Sequence, residues 1–293
     1  MATSSPSPLS AGMAAASPMP TPTLSEYSGP GTIAFTRDDD LYTVWSDGTG
    51  LRRIAQGARC AAWSPDGSQI ACGTQHGLFV MRADGSDQRK VATGWFAGGV
   101  AWSPDARQIV FSSGGGWVPA TLEIVNADGS GRKDVTSFSP GQPVVDRDPA
   151  WSPEGRIFFS RLDKNWIGEI SSVNPDGSGL EVVTAAERLA GFSLSPDGKW
   201  LLVWEGRSGR CVRIAANGHG TDVLVLEELQ GRKGPLYDVA SSWSPDGRRI
   251  AFAAGTWARG GPSTGLYIVR ADGSHLRKVP NAGGGLNPVW QPR

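Results

Sequence analysis

One pentapeptide, Trp243-Ser244-Pro245-Asp246-Gly247, followed at once by the apolar run Ile250-Ala251-Phe252, recurs along this chain and restricts its fold more than any other feature. Pro presets φ early in a turn, Asp bonds backbone groups two residues on, and Gly accepts the positive φ that closes it. The segment reads as a strand ending in a large aromatic, a tight turn, and a second strand folding back on the first. As turn chemistry it carries no reactivity.

The other copies are Trp63-Ser64-Pro65-Asp66-Gly67, Trp102-Ser103-Pro104-Asp105-Ala106, Trp151-Ser152-Pro153-Glu154-Gly155, Leu194-Ser195-Pro196-Asp197-Gly198 and a clipped Trp290-Gln291-Pro292. Their spacing of 39 to 49 residues is the period of a four-stranded propeller blade rather than of a leucine-rich or helical repeat. An apolar strand follows each turn, as in Ile70-Ala71-Cys72, Ile109-Val110-Phe111 and Leu201-Leu202-Val203, with Ile33-Ala34-Phe35 at the front. A third strand then runs into a second tight turn at Asp47-Gly48, Asp84-Gly85, Asp128-Gly129, Asp176-Gly177, Asn217-Gly218 and Asp272-Gly273, the dipeptides that favour hairpins. The first copy lacks its Trp strand and the last copy ends after its Trp strand. The two fragments complete one blade, so the expected fold is all-β: a six-bladed propeller of four-stranded antiparallel blades, with Asn287 to Trp290 closing the ring against the strand at Ile33.

The residues just before the aromatics are Ala62, Ala101, Ala150, Ser193, Ser242 and Val289, so each inner strand is expected to show a small side to one neighbour and a bulky side to the other. Burial of each aromatic contributes roughly 1.5 to 3 kcal/mol. The tryptophans therefore read first as packing.

Residues 29–293 form one expected domain, preceded by a Ser-, Pro- and Ala-rich stretch, 1–28, that reads as a disordered linker. That stretch lacks the basic and apolar regions of a secretory signal, and no run of the sequence is apolar enough for a membrane-spanning helix. A linker with nothing before it suggests that an export signal, an anchor or another domain was trimmed, or that the start codon is misplaced. Basic and acidic residues balance at 28 each, which argues against nucleic acid or an anionic membrane as the main partner.

Cys60 and Cys72 fall in one expected hairpin, and Cys72 takes a slot held by Phe in other copies. Two readings stand: a cross-strand disulfide of an oxidising compartment, or two small buried thiols. Cys211 has no evident partner.

Trp-Ser-Pro-Asp-Gly, Ile-Ala-Phe and Leu266-Tyr-Ile-Val-Arg-Ala-Asp-Gly-Ser274 together resemble the WD-like repeat of the TolB C-terminal propeller, over residues 31–293. The resemblance implies a periplasmic or otherwise extracytoplasmic bacterial protein, or an appended sensor domain, with the fold a platform for protein partners; a cytoplasmic location is the alternative. The additional N-terminal domain of TolB has no counterpart in this chain.

In such a blade the tight turns gather on one face, while the variable second-to-third connections and the crossings to the next blade gather on the other. Variable loops on a rigid scaffold are the usual place for binding. The candidates there are Trp95, Phe96, Trp117, Trp166, Tyr237 and Trp257, with Asp146, Arg147, Asp148 and Arg259. Aromatics and Arg are what interfaces favour as anchors, and Trp can equally stack on a sugar. Asp148 and Asn287 occupy equivalent positions at the start of inner strands, near the channel mouth.

Asp146 and Asp148 could serve as a carboxylate pair or hold a hard cation, although two acids one residue apart are common on solvated loops. Asp38-Asp39-Asp40 reads as turn solvation and does not fit an EF-hand. His76, His219 and His275 fall on opposite faces, and neither a Gly-x-Ser-x-Gly elbow nor a phosphate-binding loop is present. The expectation is a monomeric, non-catalytic propeller without cofactor or metal that binds a protein or peptide through its long-loop face. The competing readings are a glycan-binding or carbohydrate-active protein using the channel mouth, with acids such as Asp146, Asp148, Asp163 or Glu205, and a sensor module severed from a membrane or kinase protein.

Overall fold

The computed structural model describes residues 31–115, 118–137, 144–163, 168–186, 189–205, 210–218, 221–224, 240–258 and 261–292, so residues 1–28 lie outside the described part. The described residues form strands and turns, with no helix among them. Hence no helix among them is long and apolar enough to cross a membrane.

The strands come in four-stranded antiparallel units. The first holds β1 (Thr32–Arg37), β2 (Asp40–Trp45) and β3 (Arg52–Gln56); the second holds β4 (Cys60–Trp63), β5 (Gln69–Thr74), β6 (Gly77–Arg82) and β7 (Arg89–Ala92). The third holds β8 (Phe96–Trp102), β9 (Gln108–Gly115), β10 (Val118–Asn126) and β11 (Lys133–Asp134); the fourth holds β12 (Val145–Trp151), β13 (Ile157–Leu162), β14 (Gly168–Val173) and β15 (Glu181–Ala186). A parallel bridge between Ala120 and Val145 joins these two into one eight-stranded sheet. The fifth unit is β16 (Leu189–Leu194), β17 (Trp200–Glu205), β18 (Arg210–Ala215) and β19 (Thr221–Leu224), and the sixth is β20 (Ser241–Trp243), β21 (Arg249–Ala258), β22 (Gly261–Arg270) and β23 (Arg277–Gly283). The last strand, β24 (Leu286–Trp290), returns to pair antiparallel with β1, Ile33 opposite Trp290, as the two end fragments imply.

This is a propeller arrangement of small antiparallel sheets. Its core is divided into apolar clusters that lie between consecutive units. Ile54 and Leu41 of the first unit meet Trp63, Ile70 and Cys72 of the second, and Ala71 and Val80 of the second meet Trp102 and Phe111 of the third. Further clusters join the third unit to the fourth, the fourth to the fifth and the fifth to the sixth. Another packs Leu266 and Ile268 of the sixth unit on Phe35 and Trp290 of the first. Within β4, Trp63 packs toward the preceding unit and Ala62 toward the following one, which is the small and bulky alternation expected of interlocking sheets.

The Ser-Pro-Asp-Gly turns hold themselves together. Ser64 Oγ donates to Asp66 Oδ1 at 2.6 Å and accepts from the Gln69 amide at 2.9 Å, and Gly67 closes the turn at φ 68°. The same Ser–Asp bond recurs at Ser103–Asp105, Ser195–Asp197 and Ser244–Asp246. In the third unit Ala106 takes the glycine position and adopts φ 59°.

Cys60, Cys72 and Cys211 are free thiols. The register sets Ala61 opposite Cys72 and Cys60 opposite Gly73, so the two hairpin cysteines are one residue out of step. Alternation then sends Cys72 into the cluster against the first unit and Cys60 against the third. Of the two readings, this register fits the buried thiols, since it does not set the two sulfurs opposite each other for a disulfide.

Candidate functional site

Residues of the inner strands line a cavity of about 400 Å³, the channel of this arrangement. At its long-loop mouth stand Asn287, Cys60, Gly99, Asp148 and Ala240, each three residues before its aromatic. Further in, Ala62, Ala101, Ala150 and Val289 make an alkyl wall, and Ser193, Ser241 and Ser242 make a hydroxyl wall. Ser193 and Ser241 share a hydrogen bond of 2.9 Å, and Ser241 also accepts from Trp204 Nε1 at 3.1 Å.

The mouth is shaped by bulges where inner strands begin. Asp148 and Asn287 take φ 55° and 50°, a left-handed conformation that short polar side chains tolerate, and Gly99 takes 52° at the equivalent position. The Asn287 amide donates to Arg59 O at 3.0 Å and Thr36 Oγ1 at 3.2 Å, tying the first unit to the second. Asp148 Oδ2 lies 3.2 Å from Arg147 Nε, so the carboxylate at the mouth has a cation beside it. Among the described residues the acids, histidines and cysteines form no group of three placed to hold a metal ion.

Burial pushes the Cys60 thiol up to about 11, and burial raises Cys72 and Cys211 as well. All three are therefore protonated near neutral pH and poor nucleophiles.

Asp146 does not belong to the mouth. Its side chain is fully buried, and both oxygens meet Arg161, Oδ1 to Nε and Oδ2 to Nη2 at 2.8 Å each. Ser112 of the third unit donates to the Asp146 carbonyl at 2.5 Å. The pair Asp146–Arg161 is thus internal bracing, and the carboxylate-pair reading of Asp146 with Asp148 is corrected: a regular strand would set these two side chains on one side, but the register shifts between Arg147 and Ala150 and Asp148 takes φ 55°, so Asp146 stays buried while Asp148 turns to the mouth. Asp40 pairs with Arg53 at 3.2 Å beside the left-handed Asp38 and Asp39, which is turn structure.

Trp95, by contrast, is 64% exposed on the crossing between β7 and β8. Its loop is pinned on both sides: Gly114 N donates to Trp95 O at 3.0 Å, and Arg132 Nη1 donates to Thr93 O at 2.6 Å. Arg132 is itself oriented by a two-pronged pair with the buried Glu123, including Nη2 to Oε1 at 3.0 Å. Burial raises the Glu123 pKa, but the hydrogen bonds from Arg132 and Ser113 outweigh it and leave the pKa lowered. The Glu123–Arg132 support carries no sequence motif, and only the cross-strand geometry reveals it. Phe96, the neighbour of Trp95, is buried against Phe111 with ring centroids 5.1 Å apart, so it is core and not lining.

Trp117, Trp166, Tyr237 and Arg259 lie outside the described residues. Trp257 stands in β21 opposite Pro262, on a hairpin of ten-residue strands. The corresponding strands of the first, second and fourth units have six residues, so this hairpin runs on beyond its neighbours.

No protein-family model matches the chain, and no curated protein matches its sequence. Solved structures do match. TolB from Acinetobacter baumannii aligns with a TM-score of 0.72 and 20% identity over 90% of this chain and 68% of its own. A TolB candidate from Agrobacterium tumefaciens aligns at 0.65 and 17% identity, over 88% of this chain and 91% of its own. An oligogalacturonate lyase from Vibrio parahaemolyticus aligns at 0.53 and 11%, over 82% and 71%. At these identities the likeness is one of fold alone, and what the chain shares with these proteins is a β-propeller of the TolB kind.

Proposed function

We propose that residues 29–293 form a closed six-bladed ring that acts as a non-catalytic binding platform of the bacterial cell envelope. The long-loop face holds its protein or peptide partner. The pairing of β24 with β1 and the apolar cluster between the sixth and first units support closure. The observation that carries the binding reading is Trp95: a large apolar ring exposed on that face, on a loop fixed by Arg132 and Gly114. A rigid exposed aromatic is what binding hot spots are made of, because little side-chain entropy is lost on contact. Asp146, one of the four acids open to an enzyme reading, is engaged by Arg161 inside the fold.

A glycan at the channel mouth is the second reading, favoured by the hydroxyl wall and by Asp148 at the rim. One comparison separates the two. Native, Trp95→Ala and Asp148→Ala proteins are immobilised against envelope extract and, in parallel, assayed for oligosaccharide binding and cleavage. Capture of one protein species by native and Asp148→Ala but not by Trp95→Ala supports the platform. Equal capture by all three sinks it, and Asp148-dependent turnover of a saccharide replaces it with an enzyme.

A further inference from the structure

The junctions between neighbouring units are not held alike. Along the channel, Trp63 Nε1 of the second unit donates to Val289 O of the first at 3.3 Å, and Trp102 Nε1 of the third donates to Ala62 O of the second at 3.2 Å. Ser112 to Asp146 O at 2.5 Å links the third unit to the fourth, Trp204 Nε1 to Ser241 Oγ at 3.1 Å links the fifth to the sixth, and Trp290 N to Ser242 Oγ at 3.2 Å links the sixth to the first. The indole N–H of Trp151, Trp243 and Trp290 meets no acceptor among the described residues, so the tryptophan link itself spans only the first two of these junctions and other bonds serve the rest. At the junction of the fourth and fifth units the repeat has Leu194 in place of its Trp, and the leucine side chain has no N–H to donate.

The rim repeats the contrast. Five residues beyond each second-turn position, the fourth strand carries Arg52, Arg89, Lys133 and Arg277 in the first, second, third and sixth units. Each acts on the turn of the next unit. Arg52 Nη2 donates to Asp84 O at 2.9 Å and Arg89 Nη2 to Ala127 O at 3.0 Å, while Lys133 and Arg277 are in electrostatic reach of Asp176 and Asp47. The same position in the fourth unit is Glu181, and the turn it serves is Asn217-Gly218, with no carboxylate. Glu181 pairs instead with Arg156 of its own unit at 2.8 Å. In the fifth unit the position is Asp222, opposite Arg213 in register, but there the Trp204–Ser241 bond compensates on the channel side. Both repeat links are thus missing by residue identity at one junction, whose apolar cluster, with Phe158 and Leu162 against Phe192 and Leu201, remains.

We propose that the junction between β12–β15 and β16–β19 is the seam at which this propeller opens, giving sideways access to the channel wall at Phe192 and Ser193. Apolar packing resists separation but tolerates sliding, whereas a fixed donor and acceptor pair defines one position.

Native-state hydrogen exchange read by mass spectrometry tests this on the intact chain. Amides of β16 and β17 are expected to exchange at least about tenfold faster than those of β4, β5, β8 and β9. The double variant Glu181→Arg with Asn217→Asp, which installs the rim pair, is expected to slow β16 and β17 toward the others. The converse pair, Trp102→Phe with Arg89→Glu, removes the tryptophan and rim links between the second and third units, leaving the Arg132 bond to Thr93 O, and is expected to bring faster exchange to β8 while leaving the far-ultraviolet spectrum unchanged. Exchange in β16 no faster than in β4 and β8, or rates indifferent to either double variant, overturns the proposal.

Discussion

Asp146 and Arg161 face each other across β12 and β13 in a two-pronged ion pair, with the carboxylate sealed from solvent and the guanidinium over the Phe159 ring at 5.2 Å from its centroid. The hydrogen bonds that Arg161 donates to Asp146 hold the Arg161 pKa above its ordinary value. Removing one partner strands the other, so Asp146→Ala is expected to destabilise by about 3–5 kcal/mol in urea unfolding. A loss under about 1 kcal/mol would mean that Arg161 swings out to water.

The turn carboxylates are expected to make the fold sensitive to acid. The hydroxyl of the Ser two residues earlier lowers the pKa of Asp66, Asp105 and Asp197, and the Ser two residues later lowers Asp128, Asp176 and Asp272. The amide of Thr49 leads in lowering Asp47. A lowered folded pKa means stability that is complete above the free-carboxylate value of 3.8 and lost as pH falls through the folded values. Thermal midpoints recorded between about pH 7 and pH 2 are expected to hold level and then drop below about pH 4. A midpoint that stays level to pH 2 contradicts the assignment.

Ala106 occupies a position that four other copies give to Gly, at φ 59°. A β-carbon in the left-handed region costs about 1–2 kcal/mol, while glycine restores some unfolded-chain entropy. Ala106→Gly is expected to raise stability by up to about 1 kcal/mol in chemical denaturation. Destabilisation by the same variant would show that the methyl packs to advantage.

Thiol counting checks the register of β4 on β5. Native protein near neutral pH is expected to react slowly with an aromatic disulfide reagent, since burial raises all three thiols. Unfolded protein without reductant should release three thiols. One thiol in that condition, rising to three after reduction, would reinstate the Cys60–Cys72 bridge.

Deleting residues 286–293 removes β24 and with it the partner of β1 and the carbonyl that Trp63 bonds. The shortened chain is expected to lose its cooperative thermal transition and to aggregate in light scattering, because β1 becomes an open edge. A sharp transition at the native midpoint would show that the pairing is dispensable.

Strand order, turn positions and the return of the last strand were legible because they rest on local chemistry repeated at a fixed period. The Trp of Trp-Ser-Pro-Asp-Gly, the Ser–Asp bond and the turn glycines say the same thing several times over. The site was less legible, because its geometry depends on single steps of register. Asp146 and Arg147 look alike as loop charges until the start of β12 is known, and one residue of offset between Cys60 and Cys72 decides whether two sulfurs meet. Trp95 was visible as an aromatic on the variable face, but its support came from Glu123 and Arg132, whose pairing requires β10 and the segment after it to lie side by side. Phe96 carried the same sequence cues as Trp95 and turned inward, since adjacent residues of an extended chain point to opposite sides.

Gln291 N donates to Thr32 O at 2.9 Å, so the first and last described strands sit side by side in one sheet. The order in which the repeats are read from the message is then nearly arbitrary for the folded object. A gene rearranged to begin at β4 and to run through β24, a short Gly-Ser joint and then β1, β2 and β3 encodes the same set of contacts. Such circular permutation offers a lineage of these proteins a way to move a tether or a fused partner from one unit to another without remaking a single buried surface.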